Sequence, residues 1–131
     1  MAAHAGARGH QQDRAFYRRL RESLTGCCRA EYELAARLGD GATLRTHLQR
    51  VAKNTGECDP RLNVEWPRAG RALWDAFRRM GRSMTMGGPG PIMPENILAF
   101  QQLHGVTFTP WELDVIDAFD AIALEAMQKK D

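Results

Sequence analysis

Gly105-Val106-Thr107-Phe108-Thr109-Pro110-Trp111-Glu112 ends one helix and begins another. Gly105 suits the left-handed position that closes a helix, because it has no Cβ to strain there. Thr109 can cap the next helix, Pro110 opens it with its φ already set, and Glu112 places a carboxylate at the positive end of the dipole. Before the joint, a helix starting at Pro94 or Glu95 carries Ile97, Leu98, Phe100 and Leu103. After it, Trp111, Val115, Phe119, Ile122 and Ala126 form one stripe, with Ile116, Ala123 and Met127 beside it. Asp114, Asp117, Ala121, Glu125 and Gln128 fall opposite, and Lys129 and Lys130 finish the helix where cations suit the dipole.

Working upstream, Ser83 to Pro94 contains Gly87-Gly88-Pro89-Gly90-Pro91 and reads as a tethered loop, because glycine weakens a helix and proline removes amide donors. Ahead of it Pro67 opens a helix ending at Arg82. Leu73, Trp74, Phe77 and Met80 make its apolar side, and Arg71, Asp75, Arg78, Arg79 and Arg82 its wet side. Gly56 to Trp66, with Pro60 inside and Pro67 following, is an irregular connector.

In the first half, Asp13 can cap a helix through Phe16, Tyr17, Leu20 and Leu24 that Gly26 closes. A second helix runs through Tyr32, Leu34, Ala35 and Leu38, and a third from Leu44 through His47, Leu48 and Val51 to Asn54 and Gly56. No strand alternation and no internal repeat is evident. The expected fold is all-α, a small bundle of about five or six helices with a Gly/Pro-rich loop before the last two. The expected organisation is a flexible N-terminal arm over 1–11, a basic helical region over 12–65 and a C-terminal helical domain over 66–131.

With 44% hydrophobic residues in 131, the chain has enough apolar surface for a modest core, and no apolar run approaches the roughly 20 residues of a membrane span. The first ten residues lack the apolar segment of a secretory signal, and three cysteines leave an odd thiol, so a reducing cytoplasm is expected. Charge is uneven. Residues 1–82 hold 16 Lys/Arg against 9 Asp/Glu, a surplus of +7, and residues 83–131 hold 2 against 7, a deficit of −5. Such a split can hold the two parts together or offer opposite faces to two partners.

Little in this sequence suits catalysis. Cys27, Cys28, His47 and Cys58 lack the paired spacing of a zinc knuckle, and the cysteines read as ordinary buried or half-buried thiols. Gly87-Gly88-Pro89-Gly90 lacks the preceding strand and following Lys of a phosphate loop, and its prolines remove the amides that would bind. Asp114, Asp117, Asp120 and Glu125 read as a solvated face; Asp120, beside the apolar stripe, is placed to pair with an arginine of the Trp74 helix. No cofactor or metal is expected. Met84, Met86, Ile92 and Met93 either cover the core's edge or remain available to a partner.

From Trp74 onward the chain resembles the small tail assembly chaperones of long-tailed bacteriophages and prophages. The resemblance rests on Trp74-x-x-Phe77, Gly87-Gly88-Pro89-Gly90-Pro91-Ile92-x-Pro94, Ile97 and Phe100, Pro110-Trp111-Glu112, and Ile116 with Asp120, covering about residues 66–127. It implies a non-enzymatic factor in the cytoplasm of a bacterial host that engages the tape measure protein during tail building, with the tail tube protein as a second candidate partner. Expected contact residues are Trp74, Phe77, Met84, Met86, Ile92, Pro110 and Trp111, placed around a groove between the Trp74 helix, the methionine loop and the Trp111 helix; either tryptophan can instead be core. The alternative is a nucleic-acid-associated phage protein binding nonspecifically through Arg14, Arg18, Arg19, Arg21 and Arg29. The acidic last helix argues against a DNA-reading helix-turn-helix.

Overall fold

A computed structural model describes residues 2–128, with side chains from Asp13 onward. Expectations for the side chains of the N-terminal arm and for Lys129 and Lys130 lie outside the described residues. The described residues form five α-helices: α1 (Ala2–Ala35), α2 (Leu44–Thr55), α3 (Arg68–Arg79), α4 (Pro94–His104) and α5 (Pro110–Gln128). One 3-10 turn, Pro60–Leu62, interrupts the connector, and two short strands, β1 (Met84–Thr85) and β2 (Gly88–Pro89), pair antiparallel within the Gly/Pro-rich loop. The all-α bundle is therefore as expected.

Local signals place the boundaries of α2, α4 and α5. Thr43 caps α2 by accepting from the Thr46 amide, and Gly56 closes it at φ 76°. At the joint, Gly105 takes φ 63°. There the Glu112 amide donates to Thr109 Oγ1 at 3.2 Å, and the Thr109 amide donates to Glu112 Oε1 at 2.9 Å. That reciprocal pair satisfies two orphan donors at the start of α5.

Elsewhere the structure corrects the reading. Asp13 lies inside α1 rather than capping it, and Gly26 does not end the first helix: α1 runs unbroken to Ala35. A helical glycine costs about 1 kcal/mol relative to alanine. Burying Leu24, Cys28 and Leu34 outweighs it, at about 1.5–3 kcal/mol for each large apolar side chain. The helix of Trp74 ends at Arg79, with Met80 already extended at ψ 141°, which frees Arg82 to turn toward α5. The loop folds into a hairpin that reverses at Met86-Gly87, and Gly88, entering β2 at φ 114°, takes a conformation that side chains rarely adopt.

The core lies between α1, α3 and α5. Tyr17 meets Trp111 with ring centroids 5.2 Å apart, and the Cys28 thiol faces the Phe119 carbonyl oxygen at 4.0 Å, so α1 and α5 run side by side in the same direction. Trp74 sits at the centre. Trp66 stacks on it at 4.8 Å, Phe77 stacks at 5.7 Å, and Phe119 and Tyr32 meet it edge-on at 5.5 and 6.0 Å. Such offset and edge-to-face pairs add to area burial. Gly70 lets α3 approach α1: a Cβ there would run into the Leu24 side chain.

Candidate functional site

The Gly/Pro-rich loop is firmly held at its root. Asp120, buried on α5, accepts from Arg82 Nη1 at 2.8 Å through Oδ1 and from the Ile92 amide at 2.9 Å through Oδ2. Arg82 also donates to the Gly90 carbonyl oxygen at 3.0 Å. A buried carboxylate is tolerated when a cation and an amide satisfy it, and here the same contacts fasten both strands' flanks to α5. The pairing of Asp120 with an arginine from the end of the Trp74 segment is as expected, and Asp114, Asp117 and Glu125 are exposed.

The far end of the hairpin is open. Met84 is 73% exposed and Met86 fully exposed, while Ile92 is half-buried and packs against the core. Among the expected contact residues, Trp74 and Phe77 are sealed in the core at 4% and 2% exposure. Pro110 is exposed, and Trp111 is half-buried against Tyr17 of α1. The methionines are thus separated from the tryptophan and phenylalanine they were grouped with.

A groove of about 600 Å³ opens elsewhere, between α3 and the α4–α5 joint. Ala72 and Ala76 form one wall, Phe100, Val106 and Phe108 the other, and Arg79 stands at the rim. The small side chains of α3 leave the space, and Phe100 and Phe108, stacked at 6.0 Å, shape it. The Phe108 amide donates to Gln101 Oε1 at 2.9 Å, which fixes the joint's backbone beneath the ring. Arg79 has no ion-pair partner among the described residues; Asp75, one turn before it, lies 3.6 Å from Arg71 instead. Sequence reading missed this groove. Its one available signal was Phe108, an apolar residue just before a helix cap, the position of a hydrophobic staple.

Burial pushes the Cys28 thiol up to about 12, with Arg29 opposing, and burial likewise raises Cys27. Cys28 is therefore a neutral core residue near the C-terminal end of α1. Among the described residues no group of three His, Cys, Asp or Glu is placed to hold a metal ion, and no helix is long and apolar enough to cross a membrane. On α1, Arg14, Arg18, Arg19 and Arg21 are exposed and have no ion-pair partner among the described residues.

Residues 51–125 match the family model described as phage tail assembly chaperone. That stretch holds the end of α2, all of α3 and α4, the hairpin, the groove and most of α5. No curated protein and no solved structure matches the chain.

Proposed function

Since the chain belongs to the phage tail assembly chaperone family, we propose that it acts without catalysis, binding the tape measure protein in the bacterial cytoplasm during tail morphogenesis. The family match over residues 51–125 carries this reading. A tape measure is a long helical chain whose apolar stripes need cover until the tail tube encloses them. A reversible helix-in-groove contact supplies that cover, since it masks the stripe and releases it intact. The tail tube protein is a second candidate partner.

Two surfaces support the role. The groove between α3 and the joint, at about 600 Å³, has room for several aliphatic side chains, and Arg79, which shares its lining with Asp75 and Glu112, has no ion-pair partner among the described residues and can meet a carboxylate beside them. The hairpin adds Met84 and Met86, flexible thioethers that adapt to successive segments of a repetitive partner. Ile92, Pro110 and Trp111 lie at partly accessible margins, whereas Trp74 and Phe77 act through the scaffold.

The test is co-expression with tape measure fragments followed by pull-down, for the unaltered chain, Ala72→Glu, and Met84→Ser with Met86→Ser. Ala72 and both methionines are exposed, so melting temperatures should hold. Lost capture at unchanged melting temperature supports each surface as a contact. Failure of the unaltered chain to capture any fragment, while capturing tube protein, moves the partner to the tube; capture of neither sinks the reading.

A further inference from the structure

Among the described methionines, two stand apart. Met86 is fully exposed and Met84 is 73% exposed, whereas Met93 is 40% exposed, Met127 packs partly buried against the core and Met80 is sealed in it. A reagent that must reach sulfur therefore meets the hairpin before the core. Backbone and polar groups hold that hairpin. Its strands pair with Met84 opposite Pro89 and Thr85 opposite Gly88; Thr85 Oγ1 donates to the Gly88 carbonyl oxygen at 2.8 Å, and Ser83 Oγ to the Pro91 carbonyl oxygen at 2.9 Å. The root is fastened to α5 through Asp120, Arg82 and the Ile92 amide. An oxygen added to either exposed thioether changes the surface of the tip and leaves its frame standing, whereas the same change at Met80 places a polar group inside the core.

Resting on the tape measure reading, we propose that Met84 and Met86 form a reversible modification site, at which a peroxide switches off the apolar contact made by the hairpin. Each thioether sulfur gives a lone pair to one peroxide oxygen: an S–O bond forms, the O–O bond breaks, and the second oxygen leaves as water. Sulfur loses two electrons and the peroxide gains them. The sulfoxide is polar where the thioether was apolar, so an apolar stripe laid against it would have to strip water from the S–O dipole without returning a hydrogen bond. The two stereospecific methionine sulfoxide reductases reverse the step, a dithiol supplying the two electrons and becoming a disulfide while the oxygen departs as water. Because the frame of the hairpin is independent of both sulfurs, the contact is lost and regained without unfolding.

The test treats the full chain with hydrogen peroxide in a Cys58→Ser background, which removes the exposed thiol as a competing target. Three readouts are followed together: peptide masses for each methionine, the circular dichroism melt, and capture of a tape measure fragment. Met84 and Met86 should each gain one oxygen well before Met80 and Met127, at an unchanged melting temperature. Capture should then weaken by at least roughly tenfold and return after treatment with both reductases. Met84→Leu with Met86→Leu, compared with its own untreated capture, should no longer respond to peroxide. Oxidation of Met80 or Met127 at the rate of the hairpin, a lowered melting temperature, undiminished capture by the oxidised chain, or a leucine variant that still responds would each overturn the proposal. Failure of the untreated chain to capture any fragment sinks the tape measure reading itself, whereas capture that survives oxidation sinks this inference alone.

Discussion

The wedge of α1, α3 and α5 and the wing formed by α2 are held by different physics. In the wedge, Trp74 and Phe119 are buried among other rings and aliphatic side chains; in the wing, α2 buries no residue and Val51 stands 53% exposed. The wing depends on directional polar contacts. Arg45 pairs with Glu31 at 3.1 Å, Asp40 pairs with His47 at 2.9 Å and receives the Ala42 amide at 3.1 Å, and Thr43 caps the helix. Packing gives the wedge stability that conditions change little, whereas the wing's contacts are exposed to solvent, salt and pH.

The largest expected difference between the regions is between Phe119→Ala and Val51→Ala. The first should cost about 3–5 kcal/mol through the cavity it leaves, the second less than about 0.5 kcal/mol, both read from urea unfolding midpoints. If the two costs come within about 1 kcal/mol, the contrast fails. Next, Asp120→Ala strands Arg82 and the Ile92 amide at the hairpin's root and should cost about 3 kcal/mol. Hydrogen exchange should then show residues 82–92 opening before α5.

Two helical glycines should respond in opposite directions. Gly70→Ala pushes a methyl group into Leu24 and should destabilise by about 1–3 kcal/mol. Gly26→Ala meets nothing within 4 Å and should stabilise by about 1 kcal/mol. Thermal melts of the pair decide this, and a loss at Gly26 would mean that α1 bends there in solution.

The smallest effect belongs to the wing. The His47 ring and then the Ala42 amide, by hydrogen bonding, hold the Asp40 carboxyl below its ordinary range. Because its folded value is lowered, the contribution is present above the unfolded carboxylate value and disappears as pH falls through the folded one. An NMR titration should show Asp40 protonating later than a free aspartate and the α1–α2 turn loosening below that point; an ordinary titration curve would remove the contact from solution.

Boundaries governed by neighbouring residues were legible in the sequence: Gly105, Thr109, Pro110 and Glu112 act within one turn of each other, and so do Thr43 and Gly56. The continuity of α1 was not, because the reward for carrying Gly26 comes from Leu24 and Cys28 meeting residues some 50 to 90 positions away. Gly70 has the same explanation, as its purpose is a side chain on another helix. The groove was hidden because Phe100 and Phe108 meet only once the joint has turned. Trp74 and Phe77 fitted both core and contact by their spacing, and only burial assigned them to the core.

Arg61, exposed in the connector, offers trypsin a site between the half of the chain that carries Leu24 and the half that carries Trp74. Since those side chains belong to one cluster, a single cut there would divide the polypeptide without dividing the molecule. The nicked fragments should co-elute until denaturant parts them, and, mixed afresh, should find each other again.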